Sequence, residues 1–262
     1  DFILAAHSVQ RKTRRVSHPA QKRRWMGRPT SQCGVTGIRA GMRQGREYNE
    51  VVTPSQPVRK LAEADFPTRW GQFRILGFEG HFPIGEGDRR RETAVALVMG
   101  DIHCKPPLVR IHSQCLTGDV FGSLRCDCRQ QLEMAMAMIA KAGAGVLVYE
   151  QQEGRGIGLM AKLQAYELQD NGLDTVEANE RLGFKADMRF YSLAVEVLKA
   201  LDLTQVRLLS NNPEKVAAVE QAGIEVTERV PCEVEPASAY SAHYLKTKKE
   251  KMGHLLGAKR KA

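Results

Sequence analysis

From Leu108 onward, short apolar runs alternate with segments of helical period, and that alternation restricts the chain to layered α/β architectures. LVRIHSQ (Leu108–Gln114), GVLVYE (Gly145–Glu150), VRLLS (Val206–Ser210) and IEVTERV (Ile224–Val230) are predicted strands. QQLEMAMAMIAKAG (Gln130–Gly143) carries Leu132, Met136 and Ile139 at helical spacing and stops on glycine. Further helices are predicted over Ile157–Gln169, Phe190–Leu201 and Pro213–Ala222. The front third differs. TRWGQFRILGFEG (Thr68–Gly80) and TAVALVMGD (Thr93–Asp101) read as strands joined by a polar, glycine-rich hairpin connection. The expected fold class is therefore α/β with α+β character: a mixed β-sheet with flanking helices in a single domain that starts near Val58.

A chain of 262 residues, 42% hydrophobic and 26% charged, can bury a sizeable core. No apolar run reaches the roughly 18–20 residues of a membrane helix, and FILAA near the start is too short for the core of a signal peptide. The expectation is a cytoplasmic protein with reduced cysteines and no membrane partner. The net charge of +9 is unevenly spread: residues 1–50 hold eleven Lys/Arg against three Asp/Glu, leaving the remainder near neutral. Residues 1–57 are expected to be a basic, disordered extension without core-forming periodicity, and residues 58–262 the catalytic domain. Nucleic-acid binding by the basic extension is the less favoured reading.

CLTGDVFGSLRCDC (Cys115–Cys128) places three cysteines in fourteen residues. Zinc takes thiolate ligands; a structural site uses four protein ligands, whereas a catalytic one uses three and leaves a position for water. Cys126 and Cys128 in an extended segment would point to one face, and the two glycines between them and Cys115 let the chain loop back. His112 is a candidate fourth ligand, but on a strand running into Cys115 it points to the opposite face. A set of inert buried cysteines is the alternative. Cys33, Cys104 and Cys232 fall outside this spacing and are read as incidental.

EQQEGRGIGL (Glu150–Leu159) follows a predicted strand and opens a helix, so Gly154 to Gly158 let backbone N–H groups approach an anion. Arg155 adds a fork of donors suited to phosphate. Arg110 and Lys215, from the segments before the thiols and after Asn211-Asn212, add further positive charge. A plain tight turn explains the glycines equally well. Asp174, Thr175, Glu177 and Asn179 are read as turn and cap chemistry, and Asp187 with Arg189 as a surface ion pair. The residues alone support a zinc hydrolase acting on a phosphorylated substrate.

Taken together, CLTGDVFGSLRCDC, Gln131-Leu132, QEGRGIGL, AYELQDNGLDTVEAN (Ala165–Asn179), LGFKADMR (Leu182–Arg189), NNPEKV (Asn211–Val216) and HYLKTKKEKMGHLL (His243–Leu256) resemble GTP cyclohydrolase II, a riboflavin biosynthesis family. The resemblance runs from about Leu61 to Leu256, about three quarters of the chain. It implies one zinc ion on Cys115, Cys126 and Cys128. It implies GTP contacts from Arg110, Ile111, His112, Ser113, Gln114, Gln131, Glu153, Gly154, Arg155, Thr175, Ser210 and Lys215. It also implies Asp187 as proton acceptor, Arg189 as nucleophile and Tyr166 as an active-site tyrosine, with Mg²⁺ accompanying the triphosphate and a homodimeric assembly. The sequence departs from the family pattern at Gln114, where Glu is usual, at Ser210, where Thr is usual, and at Arg129, where Gly is frequent. Some relatives carry a dihydroxybutanone-phosphate synthase domain ahead of this one; residues 1–57 are too short and too basic to be that domain.

The implied reaction opens the imidazole ring of GTP and releases formate and pyrophosphate. The product is 2,5-diamino-6-ribosylamino-4(3H)-pyrimidinone 5′-phosphate. Two alternatives stand beside it: an enzyme arrested at the formylated intermediate, and a silent, zinc-stabilised nucleotide-binding protein.

Overall fold

The computed structural model describes residues 58–83 and 88–256. The basic extension expected over 1–57 lies outside the described residues.

The chain forms β1 (Val58–Thr68), β2 (Gly71–Pro83), β3 (Arg89–Met99), β4 (Leu108–Ser113), α1 (Cys128–Ala142), β5 (Gly145–Glu150), α2 (Leu159–Asp170), α3 (Thr175–Arg181), α4 (Ser192–Ala200), β6 (Gln205–Leu209), α5 (Pro213–Gln221), β7 (Glu225–Val230) and α6 (Ala239–Met252). One sheet joins the strands in the order β1-β2-β3-β5-β4-β6-β7. β1, β2, β3 and β5 pair antiparallel, while β5, β4, β6 and β7 run parallel. The expected mixed sheet with flanking helices is therefore what this sequence forms.

Side-chain alternation divides the core. Val109, Ile111, Val146, Val148, Val206 and Leu208 point to the face covered by Leu193, Ala194, Val197 and Leu198 of α4. Leu108, Leu147 and Leu209 point to the other face, under Ala135, Met136 and Ile139 of α1. Met136 is thus core, as its spacing predicts. α1 ends on Gly143 at φ 75°, a left-handed C-cap.

Five elements depart from expectation. β1 is exposed at nearly every position, so it shows none of the alternation that betrays a strand; its edge position and pairing to β2 make it one. β2 and β3 extend well into the polar stretch assigned to their connection, pairing as far as Pro83 with Arg89. α3 and α6 form where only turn chemistry or an unassigned tail was predicted. Each starts with a capping box, Asp174 with Glu177 and Ser238 with Ser241.

β4 and β5 are the central parallel pair, in register from Leu108 opposite Gly145 to Ser113 opposite Glu150. A Cβ at Gly145 would lie 2.5 Å from Leu108 O and 3.1 Å from two Ile139 carbons. Gly145→Ala should therefore lower stability by about 1–3 kcal/mol. The change should appear as a lower urea midpoint with an unchanged m-value.

Candidate active site

β4 runs directly into the thiol segment. Cys115 is followed by one wide turn, Leu116–Val120, closed by Phe121 N–H to Leu116 O at 3.3 Å. The buried side chain of Asp119 organises this turn. It accepts from Cys115 N–H at 3.0 Å and from Tyr149 O–H at 2.9 Å, and lies 3.2 Å from His112 Nε2. His112 stacks on Tyr149 and faces Asp119, so it is not the fourth metal ligand.

The three sulfurs of Cys115, Cys126 and Cys128 converge within 4.8 Å of one another, the one such His/Cys/Asp/Glu cluster among the described residues. The route differs from the extended Cys-X-Cys expected. Asp127 has φ −100° and ψ 10°, and Cys128 opens α1, so the pair sits on a turn entering a helix. Asp127 accounts for this: it is buried, accepts from Lys248 Nζ at 2.8 Å and bonds Gln131. Burial works against ionisation of Asp127, but Lys248 holds its pKa below the ordinary carboxylate value.

The donor set fits a thiophilic metal. A Cβ at Gly118 would lie 2.9 Å from Cys126 Sγ and 3.1 Å from Cys115 Sγ, so the chain leaves the space beside the sulfurs clear. Hydrogen bonds from Cys126 and Cys128, with the nearby Lys162 ammonium, hold the Cys115 thiol well below its ordinary pKa. Cys126 is pushed up to about 11, chiefly by its bond with Cys115.

Beside the thiols opens a cavity of about 420 Å³, within the range of small-molecule sites. Ser113, Gln114, Glu153, Gly154, Arg155, Tyr166, Thr175 and Arg189 line it with the three cysteines. A smaller recess of about 70 Å³ shares Ser113, Cys128, Arg155 and Arg189 with it and adds Arg110, Gln131, Ser210, Lys215 and Lys248. Five Lys/Arg side chains wall this recess and no carboxylate does.

Their partners are unequal. Arg110 donates to Leu209 O at 3.0 Å and Gln131 Oε1 at 2.6 Å. Arg189 is clamped on Asp187, with Nε 2.9 and 3.1 Å from the two oxygens. Lys215 is buried and donates to Ile111 O at 2.9 Å; burial, then Arg110, drives its pKa well below the ordinary lysine value. Arg155 sits at φ 60° in the short turn Glu153–Gly156, and both of its terminal nitrogens are buried without a hydrogen-bond partner among the described residues. Buried donors without acceptors are costly, which marks Arg155 as a group that awaits an anion.

Of the residues singled out from sequence, Ile111 has its side chain in the core and gives its carbonyl to Lys215. Glu153 turns away from the recess and accepts from Leu116 N–H at 2.6 Å and Lys162 Nζ at 2.7 Å. Tyr166 lies 3.2 Å from Thr117 Oγ1, with its phenol pushed up to about 12 by burial. Ser210 caps Asn212 N–H at 3.1 Å. Sequence reasoning passed over Asp119, Asp127, Lys162, Tyr244 and Lys248. The Thr-Gly-Asp after Cys115 and the Asp between the two later thiols were the available signals; the others lie far along the chain.

The family model described as GTP cyclohydrolase II matches residues 59–231. The chain belongs to the GTP cyclohydrolase II family. It is 54% identical over 200 residues to the GTP cyclohydrolase-2 of Proteus mirabilis, covering 76% of this chain and 96% of that protein. It is 53% identical over 198 residues to the GTP cyclohydrolase-2 of Buchnera aphidicola (subsp. Schizaphis graminum), covering 75% and 97%. It is 50% identical over 203 residues to the riboflavin biosynthesis protein RibBA of Chlorobium phaeovibrioides, where it spans 48% of that longer protein. A two-domain 3,4-dihydroxy-2-butanone 4-phosphate synthase from A. baumannii aligns at a TM-score of 0.40 and 17% identity over 70% of this chain and 42% of that one, which adds nothing to the assignment. An enzyme of this family, with riboflavin biosynthesis as its setting, thus carries a three-cysteine cluster able to hold a metal. No helix among the described residues is long and apolar enough to cross a membrane.

Two outcomes follow. Gly118→Ala should keep the fold, seen by circular dichroism, and lose at least about tenfold in metal affinity, measured by chelator competition. Glu150, fully buried at the end of β5, is pushed up to about 7 by burial. Because its folded pKa exceeds the ordinary value near 4.5, the folded state binds the extra proton and its stability falls as pH rises from about 4.5 to 7. Glu150→Gln should therefore match the parent at pH 5 and exceed it at pH 8, by up to about 3 kcal/mol in urea unfolding.

Proposed function

We propose that this chain hydrolyses GTP to 2,5-diamino-6-ribosylamino-4(3H)-pyrimidinone 5′-phosphate, formate and pyrophosphate, using zinc held by Cys115, Cys126 and Cys128. One observation carries the reading: three convergent thiols open onto a cavity whose adjoining recess is walled by five cations and no carboxylate. A triphosphate fits that charge, and a base fits the larger chamber beside the thiols.

When bound, zinc supplies Lewis acidity toward water attacking C8 of the guanine ring. The chain's own residues do the rest. Arg155 gives its unpartnered guanidinium to phosphate oxygens. Lys215 adds a donor from the floor of the recess, where a bound phosphate favours its charged form. Ser113, Gln114 and Thr175 line the larger chamber beside the thiols and hold the nucleoside. Tyr166, anchored at Thr117 next to the thiols, is placed to donate to or accept from the opening ring. Mg²⁺ accompanies the triphosphate, and the working unit is a homodimer; both rest on the family resemblance.

Arg189 and Asp187 work as a pair. Burial alone would lower the pKa of Arg189, but the Asp187 carboxylate raises it above the ordinary guanidinium value. Asp187 is likewise held below its ordinary value by Arg189 against the effect of burial. A guanidinium so held is a weak nucleophile and its partner a weak base. The pair therefore stabilises charge at the α-phosphate as the α–β link breaks.

Zinc-loaded protein with Mg²⁺ and GTP, followed by chromatography and mass, tests the proposal. Formate and pyrophosphate should appear together with the diaminopyrimidine monophosphate. A product retaining the formyl group assigns the arrested reaction instead, and untouched GTP a silent binder. Arg155→Ala should lower kcat/KM by about 100-fold, the equivalent of removing one buried charge-assisted contact.

A further inference from the structure

Lys162 lies in the first turns of α2, and nothing in its sequence context marks it. Its ammonium donates to Cys115 Sγ at 3.2 Å and to Glu153 Oε1 at 2.7 Å. The second oxygen of Glu153 accepts from Leu116 N–H at 2.6 Å, while Oε1 also accepts from Gly154 N–H at 2.9 Å. The contacts close a ring from Cys115 through Lys162 and Glu153 back to Leu116. The side chains of Lys162 and Glu153 are only 11% and 10% exposed, so little water competes for them.

We propose that Lys162 is a positioning residue for the metal centre: held by Glu153, it donates an N–H···S hydrogen bond to the Cys115 thiolate and sets the donor strength of that sulfur. The inference deepens the reading given above and rests on the three thiols holding a metal.

Three thiolates on a divalent cation leave the group with a net negative charge, and each feeds electron density to the metal, blunting its Lewis acidity. A cation bonded to one sulfur draws some of that density back. Thr117 Oγ1 also approaches Cys115 Sγ, at 3.7 Å, but brings no charge. The Glu153 clamp matters because a free lysine side chain samples many rotamers and would spend little time on sulfur. With both carboxylate oxygens tied to the thiol turn and its neighbour, the ammonium has one place to be.

The test uses the full chain with Co²⁺ in place of zinc, in the parent and in Lys162→Arg, Lys162→Gln and Lys162→Met. The readouts are the sulfur-to-cobalt charge-transfer band and zinc affinity by chelator competition. Removing the hydrogen bond raises the sulfur lone pair, so the band should move to longer wavelength, least for Arg and most for Met. Zinc affinity should fall by about 10–100-fold in Lys162→Met and stay nearest the parent in Lys162→Arg. If Lys162→Met loses stability but binds cobalt with the parent's band, Lys162 is only a structural clamp and the inference fails. Should the Met variant not fold, the Arg and Gln variants decide: a red-shifted band in Gln relative to Arg supports the role, and identical bands overturn it. A parent chain that takes up no cobalt would sink the metal reading itself and this inference with it.

Discussion

The pairing of Ser113 with Glu150, where β4 and β5 end side by side, is the constraint on which the chemistry depends. Parallel strands finish at the same edge of a sheet, so the loops that follow them must share that edge. The chain leaves β4 toward β5 on one side and later returns to β6 on the other, which opens a crevice at the carboxyl end of β4. The thiol turn and the Glu153–Gly156 turn both leave from that crevice. Gln114 N–H to Glu150 O at 2.8 Å and Leu116 N–H to Glu153 at 2.6 Å then tie them together. Asp119 ties the first turn back to the strands through Tyr149. A slip of one residue between β4 and β5 would put one strand's side chains on the wrong face of the sheet and carry both loops away from each other.

The parts that were legible in the sequence are those where local pattern and tertiary role agree. The central strands are buried on both faces and read as short runs rich in apolar residues. The thiols declare themselves by spacing, and α1 by its period and terminal glycine. β1 was opaque because an exposed edge strand needs no alternation. α3 and α6 were opaque because their stability comes from caps and from charges on other elements: Lys251 of α6 pairs with Asp174 and Glu177 at the start of α3. The site was legible in its donors but not in its supports. Lys162, Tyr244 and Lys248 act through neighbours that are remote in sequence, so no spacing points to them.

The recess also shows how charge is managed before a ligand arrives. Arg189 and Lys248 each have a carboxylate, and Arg110 has carbonyl acceptors. Lys215 gives up its proton more readily than a free lysine does, because burial and Arg110 oppose its charge. Among the described residues, the terminal nitrogens of Arg155 have no acceptor, and its guanidinium lies over the ring of Tyr244 at 5.4 Å. The protein therefore spends part of its folding free energy holding an arginine ready, as strained or unsatisfied groups at functional sites commonly do.

Lys248 reaches Asp127 across 121 positions of sequence, and Asp127 sits between two of the three thiols. That distance has a temporal meaning. At about 5–20 residues per second of synthesis, roughly 6–24 s separate the emergence of the thiols from that of the lysine that locks the turn between them. During that interval the turn that carries Cys126 and Cys128 lacks the ion pair that fixes it, so the far end of the chain completes the site that the cysteines begin.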